Sequence, residues 1–390
     1  MKNICIVNEH QIAESSGGVQ TVSYILREKF EEHGYAVYSF HLEGNAKCND
    51  KEYLLPDRKN IDSETNFKIL YDRIKEHNIS IILFQGHTTG LMNLCIGIRK
   101  ELPIKLIYTF HRNPFASIKE YDDYKERILN NTKYFIGKIV NNFILELKRY
   151  VFNNKSKRQL RKMLSNYDMD YIDAFVSLDN EYTDYFKSIY PNKYEKKFHT
   201  IINPIKIIEY DKNFVKEKNI LFIARHTYQK RLDRLLYIWK DIYKKFPEWK
   251  LVVVGDGDFH IQYKEIANSL YLENIEFTGW QAAQQFYKNC SIICMTSSHE
   301  GLPMTLIEAQ LYGCVPIAYN SFGSASKIIV NNYNGILIKP FQQRSYSHEL
   351  QKLMKNENRR TQMAENGMKF IRKFDINNII NAWTLLFEKI

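Results

Sequence analysis

Cysteine is scarce in this chain of 390 residues, and its six cysteines show no spacing typical of a metal site. Cys5, Cys294 and Cys314 lie inside apolar runs, where a free cysteine behaves as a small core residue. We therefore expect a reduced, cytoplasmic protein without a bound metal and without disulfides.

Long hydrophobic runs are also missing. No apolar run approaches the roughly 20 residues that a membrane-spanning helix needs. The apolar stretch at the start of the chain is too short for a signal peptide, and we interpret residues 2–8 as a first strand. No low-complexity linker divides the chain, and nothing in it resembles a nucleic-acid-binding module, so we expect no nucleic-acid partner.

The length of the chain and its 44% hydrophobic fraction predict two globular domains rather than one. Strand and helix patterns alternate through the first half, and the same pattern restarts at 218–224. This alternation predicts an α/β protein made of two Rossmann-like domains that face each other across a cleft. The boundary is expected near Pro204, and the cleft is the expected ligand site.

The segment around residue 300 combines a strand, a polar turn and a helix. Ile292–Met295 is a predicted buried strand, and Pro303 suits a first helical position. Free backbone N–H groups and the positive end of a helix dipole then lie at the loop, an arrangement that binds phosphate. Glu300 lies on the loop and Glu308 about one turn inside the helix. The two carboxylates can address different parts of one ligand, and a nucleotide sugar has the right shape.

Two features of the first half are compatible with ligand binding. Gly17 and Gly18 separate the first strand from a helix at 19–33, which leaves a backbone ready for an anion, although such a pair also serves simply as a turn. His87 and His111 follow strands, and ligands collect at the carboxyl ends of parallel strands. A histidine at a strand end is also often structural. The loop before Gly17 offers further polar groups, among them Glu9.

A basic segment, Lys133–Lys162, contains nine basic residues and one acid, Glu146. Apolar residues recur through it at roughly helical spacing, within a predicted helical insertion at 117–166. Two interpretations remain open. The segment either binds an anionic membrane surface or is a solvated helix that covers the core.

Taken together, the motifs of this chain resemble the retaining glycosyltransferases of family 4, which have the GT-B architecture of two Rossmann-like domains. The resemblance covers nearly all of the chain except the basic insertion. The matching motifs are an E-x7-E pair, Glu300 and Glu308 in EGLPMTLIEA; an R-x4-K pair, Arg225 and Lys230 in ARHTYQKRLDRLL; the glycine turn Gly17-Gly18; and His111 in YTFHRNP. Lys327 departs from the family pattern, in which an acidic residue is common.

The resemblance implies a role for each matched residue. Glu308 would accept the ribose hydroxyls, Glu300 would lie by the donor sugar, and Arg225 and Lys230 would bind the diphosphate. His111 would face the reactive carbon or a hydroxyl of the sugar. The implied donor-binding set is completed by backbone groups of the two loops, at Gly301, Leu302, Met304, Thr305, Gly17 and Gly18.

The resemblance also implies the reaction and the domain roles. Residues 1–203 would form the acceptor-side domain, with the last helix, 375–390, packing back on it, and 204–374 would bind the nucleotide sugar. The enzyme would move a hexosyl unit, with retention and without metal or cofactor, to a glycan or lipid-linked saccharide in surface polysaccharide synthesis. Family frequency favours a UDP-sugar. Asp256-Gly257-Asp258 has metal-motif spacing, but it falls where the family has a turn. The expected location is the cytoplasm, including the inner face of the plasma membrane.

Two other functions remain open. A GT-B epimerase would act on the nucleotide sugar itself, and the E-x7-E loop argues against it. A non-catalytic subunit that binds a nucleotide sugar would not need the complete set of Arg225, Lys230, Glu300 and Glu308.

Overall fold

A computed structural model describes residues 2–14, 18–44, 50–131, 135–165, 168–207 and 216–390. The chain divides into two compact units. The first unit consists of Met1–Arg112, Lys157–Lys206 and Phe374–Ile390, and the second consists of Asn113–Ser156 and Ile207–Lys373. Most of the predicted insertion, residues 117–156, therefore belongs to the second unit by its contacts.

Each unit contains one parallel sheet. The strands are β1 Asn3–His10, β2 Ala36–Glu43, β3 Glu52–Leu54, β4 Ile79–Phe84, β5 Lys105–Phe110, β6 Ala174–Ser177, β7 Phe198–Thr200, β8 Glu217–Ile223, β9 Lys250–Val254, β10 Ile275–Gly279, β11 Cys290–Met295, β12 Val315–Tyr319 and β13 Ile336–Ile338. The order is β3-β2-β1-β4-β5-β6-β7 in the first unit and β10-β9-β8-β11-β12-β13 in the second. The predicted pair of α/β halves is thereby confirmed.

The strands alternate with helices. The helices are α1 Gly18–Glu32, α2 Glu64–Glu76, α3 Thr89–Glu101, α4 Ala116–Asn131, α5 Phe135–Ser165, α6 Asn180–Ile189, α7 Leu232–Lys240, α8 His260–Ser269, α9 Gln284–Asn289, α10 Met304–Leu311, α11 Ala325–Ile328, α12 Gln343–Lys355, α13 Glu357–Phe370 and α14 Ile376–Lys389. Several begin at a side chain that accepts a backbone N–H of the first turn, as Ser63, Asp179 and Asp375 do. Within the described ranges, no helix is both long and apolar enough to cross a membrane.

The last helix, α14, is part of the first unit and packs on α1. The ring of Phe387 lies 5.2 Å from that of Phe30, and the ring of Trp383 lies 6.3 Å from it. Lys2 donates a hydrogen bond to the carbonyl of Phe387. These aromatic contacts bury the amphipathic face of α14 and hold the end of the chain against its beginning.

The strand order of the second unit creates a crevice at the ends of β8 and β11. The chain leaves β8 toward β9 on one side and later returns to β11 on the other, so the connecting helices lie on opposite faces of the sheet. Ligands of open parallel sheets bind at such a switch point, outside the carboxyl ends of the strands. The loops that follow β8 and β11, residues 224–231 and 296–303, therefore meet there.

A glycine turn after β9 supports the loop after β8. Gly255 has φ +124°, and a Cβ atom there would lie 2.0 Å from the carbonyl oxygen of Ala224. The backbone N–H of His226 donates to the carbonyl of Asp256 over 2.7 Å. The Asp256-Gly257-Asp258 segment thus forms a turn on which residues 224–226 rest.

Replacement of Gly255 by alanine tests this support. We expect Gly255→Ala to lower the free energy of unfolding by well over 1 kcal/mol, because the new Cβ atom adds a backbone clash to the cost of a positive φ. Gly279→Ala is the matched control, since Gly279 has φ +71° but no atom within 4 Å of its added Cβ. Denaturant titration measures both, and an equal loss in the two variants would contradict the close packing.

Candidate functional site

Lys230 and Glu300 form an ion pair at the carboxyl ends of β8 and β11. The Lys230 ammonium lies 2.8 Å and 2.9 Å from the two carboxylate oxygens of Glu300. Glu300 is buried, with 6% of its surface exposed, and Lys230 is half-buried. The structure therefore joins one residue of each of the two predicted motifs, R-x4-K and E-x7-E, within one unit.

Hydrogen bonds to backbone carbonyls join the two loops that carry this pair. The N–H of Ser298 donates to the carbonyl of Gln229 over 2.9 Å, and the side-chain amide of Gln229 donates to the carbonyl of His299 over 2.6 Å. The hydroxyl of Thr296 donates to the carbonyl of Arg231 over 2.8 Å. Gln229 was not predicted from the sequence, although it lies next to Lys230. Because residues that flank the pair on both loops are also hydrogen-bonded, the positions of Lys230 and Glu300 do not depend on their ion pair alone.

Arg225 begins the same loop and is exposed. Its neighbour His226 is buried, with its Nδ1 atom 2.9 Å from the Nδ1 atom of His260. Burial lowers the pKa of His226 to about 4, so the imidazole is neutral at physiological pH. The loop therefore presents an exposed guanidinium next to a buried, uncharged histidine.

Helix α10 starts one residue later than the sequence predicted. Pro303, with φ −74° and ψ 97°, is the cap residue before the helix rather than its first helical residue. Proline has no side-chain acceptor, and no side chain caps this turn within the described part of the chain. Met304 is buried, Thr305 is partly exposed, and the carbonyl of Gly301 accepts a hydrogen bond from Ser324. The first N–H groups of α10, together with the helix dipole, can therefore bind an anion.

Glu308 lies in the second turn of α10 and is bonded to a tyrosine. The Tyr287 hydroxyl donates to a Glu308 carboxylate oxygen over 2.9 Å. Burial raises the pKa of Glu308, and the tyrosine hydrogen bond opposes this rise because it favours the charged form. Tyr287, which was not predicted from the sequence, is a buried residue of α9, and burial also raises its pKa.

His111 belongs to the first unit, where its ring nitrogen Nε2 meets the side-chain oxygen of Gln85. Burial lowers the pKa of His111 to about 4, so the ring is neutral at physiological pH. Gly18 is exposed at the start of α1, and a Cβ atom there would meet nothing within 4 Å. Gly17, the other member of the predicted glycine turn, lies outside the described residues.

Glu9 serves the fold of the first unit. One of its carboxylate oxygens accepts the backbone N–H of His87 and both the N–H and the hydroxyl of Thr88, at 2.5–2.7 Å. These donors precede α3, so Glu9 caps that helix from a distant strand. Hydrogen bonds from His87 and Thr88 outweigh burial and hold the pKa of Glu9 below its usual range.

Comparison with solved structures defines the fold class. TarM of S. aureus, in complex with UDP and α-GlcNAc-glycerol, matches with a TM-score of 0.74 and 14% identity over 99% of this chain and 100% of that one. Anabaena Alr3699/HepE in complex with UDP-glucose matches with a TM-score of 0.74 and 12% identity over the whole of both chains. The predicted GT-B fold is thus confirmed.

A family comparison matches part of the second half of the chain. Residues 206–370 match the family model described as "Glycosyl transferases group 1". The amylovoran biosynthesis glycosyltransferase AmsD of Erwinia amylovora is 28% identical over 224 residues, 57% of this chain and 60% of that protein. An α-1,4-N-acetyl-D-galactosaminyltransferase of Campylobacter jejuni is 25% identical over 207 residues, 52% of this chain. The matched part spans 57% of that second relative.

Among the described residues, no group of three or more histidine, cysteine, aspartate or glutamate side chains is arranged to hold a metal ion. The polar groups gathered at the second unit's crevice are instead a lysine, a glutamate and helix N–H groups.

The Tyr287–Glu308 contact predicts a pH dependence of stability. A carboxyl whose pKa is raised in the folded state makes the protein less stable as pH rises from the ordinary glutamate pKa through the raised one. Tyr287→Phe removes the opposing hydrogen bond, so we expect a further loss of about 2 kcal/mol near neutral pH and little loss near pH 4.

Denaturant titrations at several pH values measure this effect. The matched control is Tyr287→Phe in a Glu308→Gln background, where the pH-dependent part should vanish. The same loss at every pH in both backgrounds would show that Tyr287 acts only through packing.

Proposed function

We propose that this protein is a retaining, metal-independent glycosyltransferase of family 4. It moves a hexosyl unit from a nucleoside-diphosphate sugar, with a UDP-sugar favoured, to a glycan or lipid-linked saccharide in surface polysaccharide synthesis. The observation that carries the proposal is the Lys230–Glu300 pair at the switch point beside the uncapped start of α10. The match to the group 1 family model and the named activities of the relatives support it.

The donor diphosphate suits the charges of the second unit. Lys230 supplies an ammonium that is held by Glu300, Arg225 an exposed guanidinium fork, and α10 the N–H groups of Met304 and Thr305. These groups oppose the negative charge that develops on the departing diphosphate, and such preorganised electrostatic stabilisation is usually the largest catalytic contribution. Glu308 then accepts the ribose hydroxyls. The two solved structures compared above contain UDP and UDP-glucose, which favours uridine.

The reaction requires no cofactor. The bond between the anomeric carbon and the diphosphate oxygen breaks, and a bond from that carbon to the acceptor oxygen forms on the same face. The acceptor hydroxyl proton passes to the departing phosphate oxygen. Glu300 binds a sugar hydroxyl while Lys230 neutralises its charge. His111, neutral because its pKa is about 4, acts as a hydrogen-bonding group toward the sugar rather than as a cation.

We further propose that the protein works on the cytoplasmic side of the plasma membrane, held there by α5. Among the side chains of this helix that the structure describes, seven large hydrophobic ones are exposed, and their spacing of three and four residues places them in one stripe: Ile139, Val140, Phe143, Ile144, Leu147, Tyr150 and Val151. The alternative interpretation is that the apolar residues of the segment cover the core. It does not apply to these seven side chains, because they are exposed. Basic side chains continue along the helix at Lys155, Lys157, Arg158, Arg161 and Lys162. An apolar stripe that is followed by a cluster of basic residues suits an anionic lipid surface better than a second copy of the same helix.

The donor proposal predicts that Glu308→Ala weakens binding of a nucleoside-diphosphate sugar at least tenfold, because hydrogen bonds to a charged group are lost. Calorimetry with UDP and a panel of UDP-sugars measures the affinity. Glu265→Ala, at an exposed glutamate of α8 in the same unit, is the control. Unchanged affinity would refute the role of Glu308, and absence of UDP release on addition of glycan acceptors to the wild type would refute the transferase.

The membrane proposal predicts that Phe143→Ser together with Leu147→Ser lowers binding to phosphatidylglycerol vesicles roughly tenfold at any salt concentration. Lys157→Ser with Arg158→Ser should remove mainly the salt-sensitive part of the binding, about 1 kcal/mol per charge. Ile261→Ser, at an exposed apolar residue of α8, is the control. Vesicle sedimentation at two ionic strengths provides the measurement. Equal binding of all variants, or a wild-type dimer that the apolar variant abolishes, would exclude the lipid surface.

A further inference from the structure

Helix α4 and the residues that lead into it contact both loops of the candidate site, all within the second unit. The side-chain amide of Asn113 donates to the backbone carbonyl of Glu300 over 2.9 Å, and both groups are buried. A Glu120 carboxylate oxygen lies 3.1 Å from the Nε2 atom of His299. One segment therefore holds two consecutive residues of the loop that carries Glu300.

Asp123, one turn further along α4, holds the other loop. Its carboxylate is completely buried and forms ion pairs with Arg231 and Arg234. Arg231 is 2% exposed, and its remaining guanidinium nitrogens bond both oxygens of Asp233, at 2.9 Å and 2.7 Å. A carboxylate so enclosed fixes its partners, since removal of one charge of a buried set leaves the others uncompensated.

The backbone conformation of Arg231 constrains the direction in which the neighbouring Lys230 side chain points. Its backbone is left-handed, with φ 52° and ψ 46°, a conformation that is uncommon for a residue other than glycine. The left-handed residue ends the short helical turn Tyr228–Lys230 and starts α7. Such a conformation persists only where its surroundings hold it. The contacts that hold it are the side-chain ion pairs with Asp123 and Asp233 and the hydrogen bond from Thr296 to its carbonyl.

We propose that α4 is a positioning element of the donor site: Asp123 fixes Arg231, Asn113 fixes the backbone of Glu300, and together they keep Lys230 and Glu300 paired. The effect on donor binding rests on the proposed function, whereas the effect on the Lys230–Glu300 geometry does not. Asp123 and Asn113 act through other residues and are positioning residues rather than catalytic ones. When either contact is lost, the Lys230 ammonium moves out of its pair and becomes more accessible to reagents.

The test compares Asp123→Asn with Asp122→Asn. Asp122 precedes Asp123 on the same helix, but it is partly exposed and pairs with Arg149 of α5. Both proteins are treated with acetic anhydride, and mass spectrometry gives the acetylation rate of Lys230 relative to Lys216. Lys216 is a partly buried lysine of the same unit, bonded to the carbonyl of Tyr287. General loosening raises both rates together, so the ratio reports the position of Lys230.

We expect the ratio to rise at least fivefold in Asp123→Asn and to stay unchanged in Asp122→Asn, with UDP affinity roughly tenfold lower in the first variant only. An unchanged ratio in Asp123→Asn would overturn the proposal. Should this variant not fold, Asn113→Ala provides the same test, with a raised ratio as support and an unchanged one as refutation. A wild type that binds no UDP would refute the proposed donor, while the labelling ratio would still decide the role of α4.

Discussion

The ion pair between Lys230 and Glu300 is the constraint on which the second unit's crevice depends. Glu300 is buried, and a buried carboxylate is tolerated only where an opposite charge and hydrogen bonds replace its hydration. The two loops, which follow separate strands, must therefore keep a fixed position relative to each other. Three features hold them there: the glycine turn after β9, the hydrogen bonds around Gln229 and the left-handed backbone of Arg231. The site is consequently rigid at its base, while Arg225 stays exposed at its edge.

The helical insertion has two different surfaces. Helix α4 and the residues that lead into it contribute a buried aspartate and two further polar contacts within the second unit, whereas the described part of α5 exposes a stripe of seven large hydrophobic side chains followed by basic residues. A single segment thus contacts the loops of the candidate site and also presents a surface to the surroundings. Arg149 of α5 pairs with Asp122 of α4, and the Tyr121 and Phe152 rings stack at 5.1 Å, so the two helices pack as a pair.

Much of the fold could be predicted because local pattern and chain order restrict an α/β protein strongly. The alternation of apolar runs and helical spacing located most strands and helices, and the loops after β8 and β11 followed from the rule for parallel sheets. Strand β3 was missed because its three residues are too few for a period to appear. Pro303 was placed one position too far into α10, since a sequence does not distinguish a cap residue from the first helical residue. Glu9 gave no sign that it caps α3, because its partners lie 78 and 79 residues away.

What the sequence determined by itself is the order of elements and the loops on which Arg225, Lys230, Glu300 and Glu308 stand. Parallel strands connected by helices must end at the same edge of their sheet, so residues just after two neighbouring strands come together without further information. Tertiary structure alone decided which of these residues pair and what surrounds them. Asp123 and Arg231 are 108 positions apart, and nothing local separates Asp123 from Asp122. Only the packing of α4 shows that Asp123 is buried between two arginines whereas Asp122 is partly exposed.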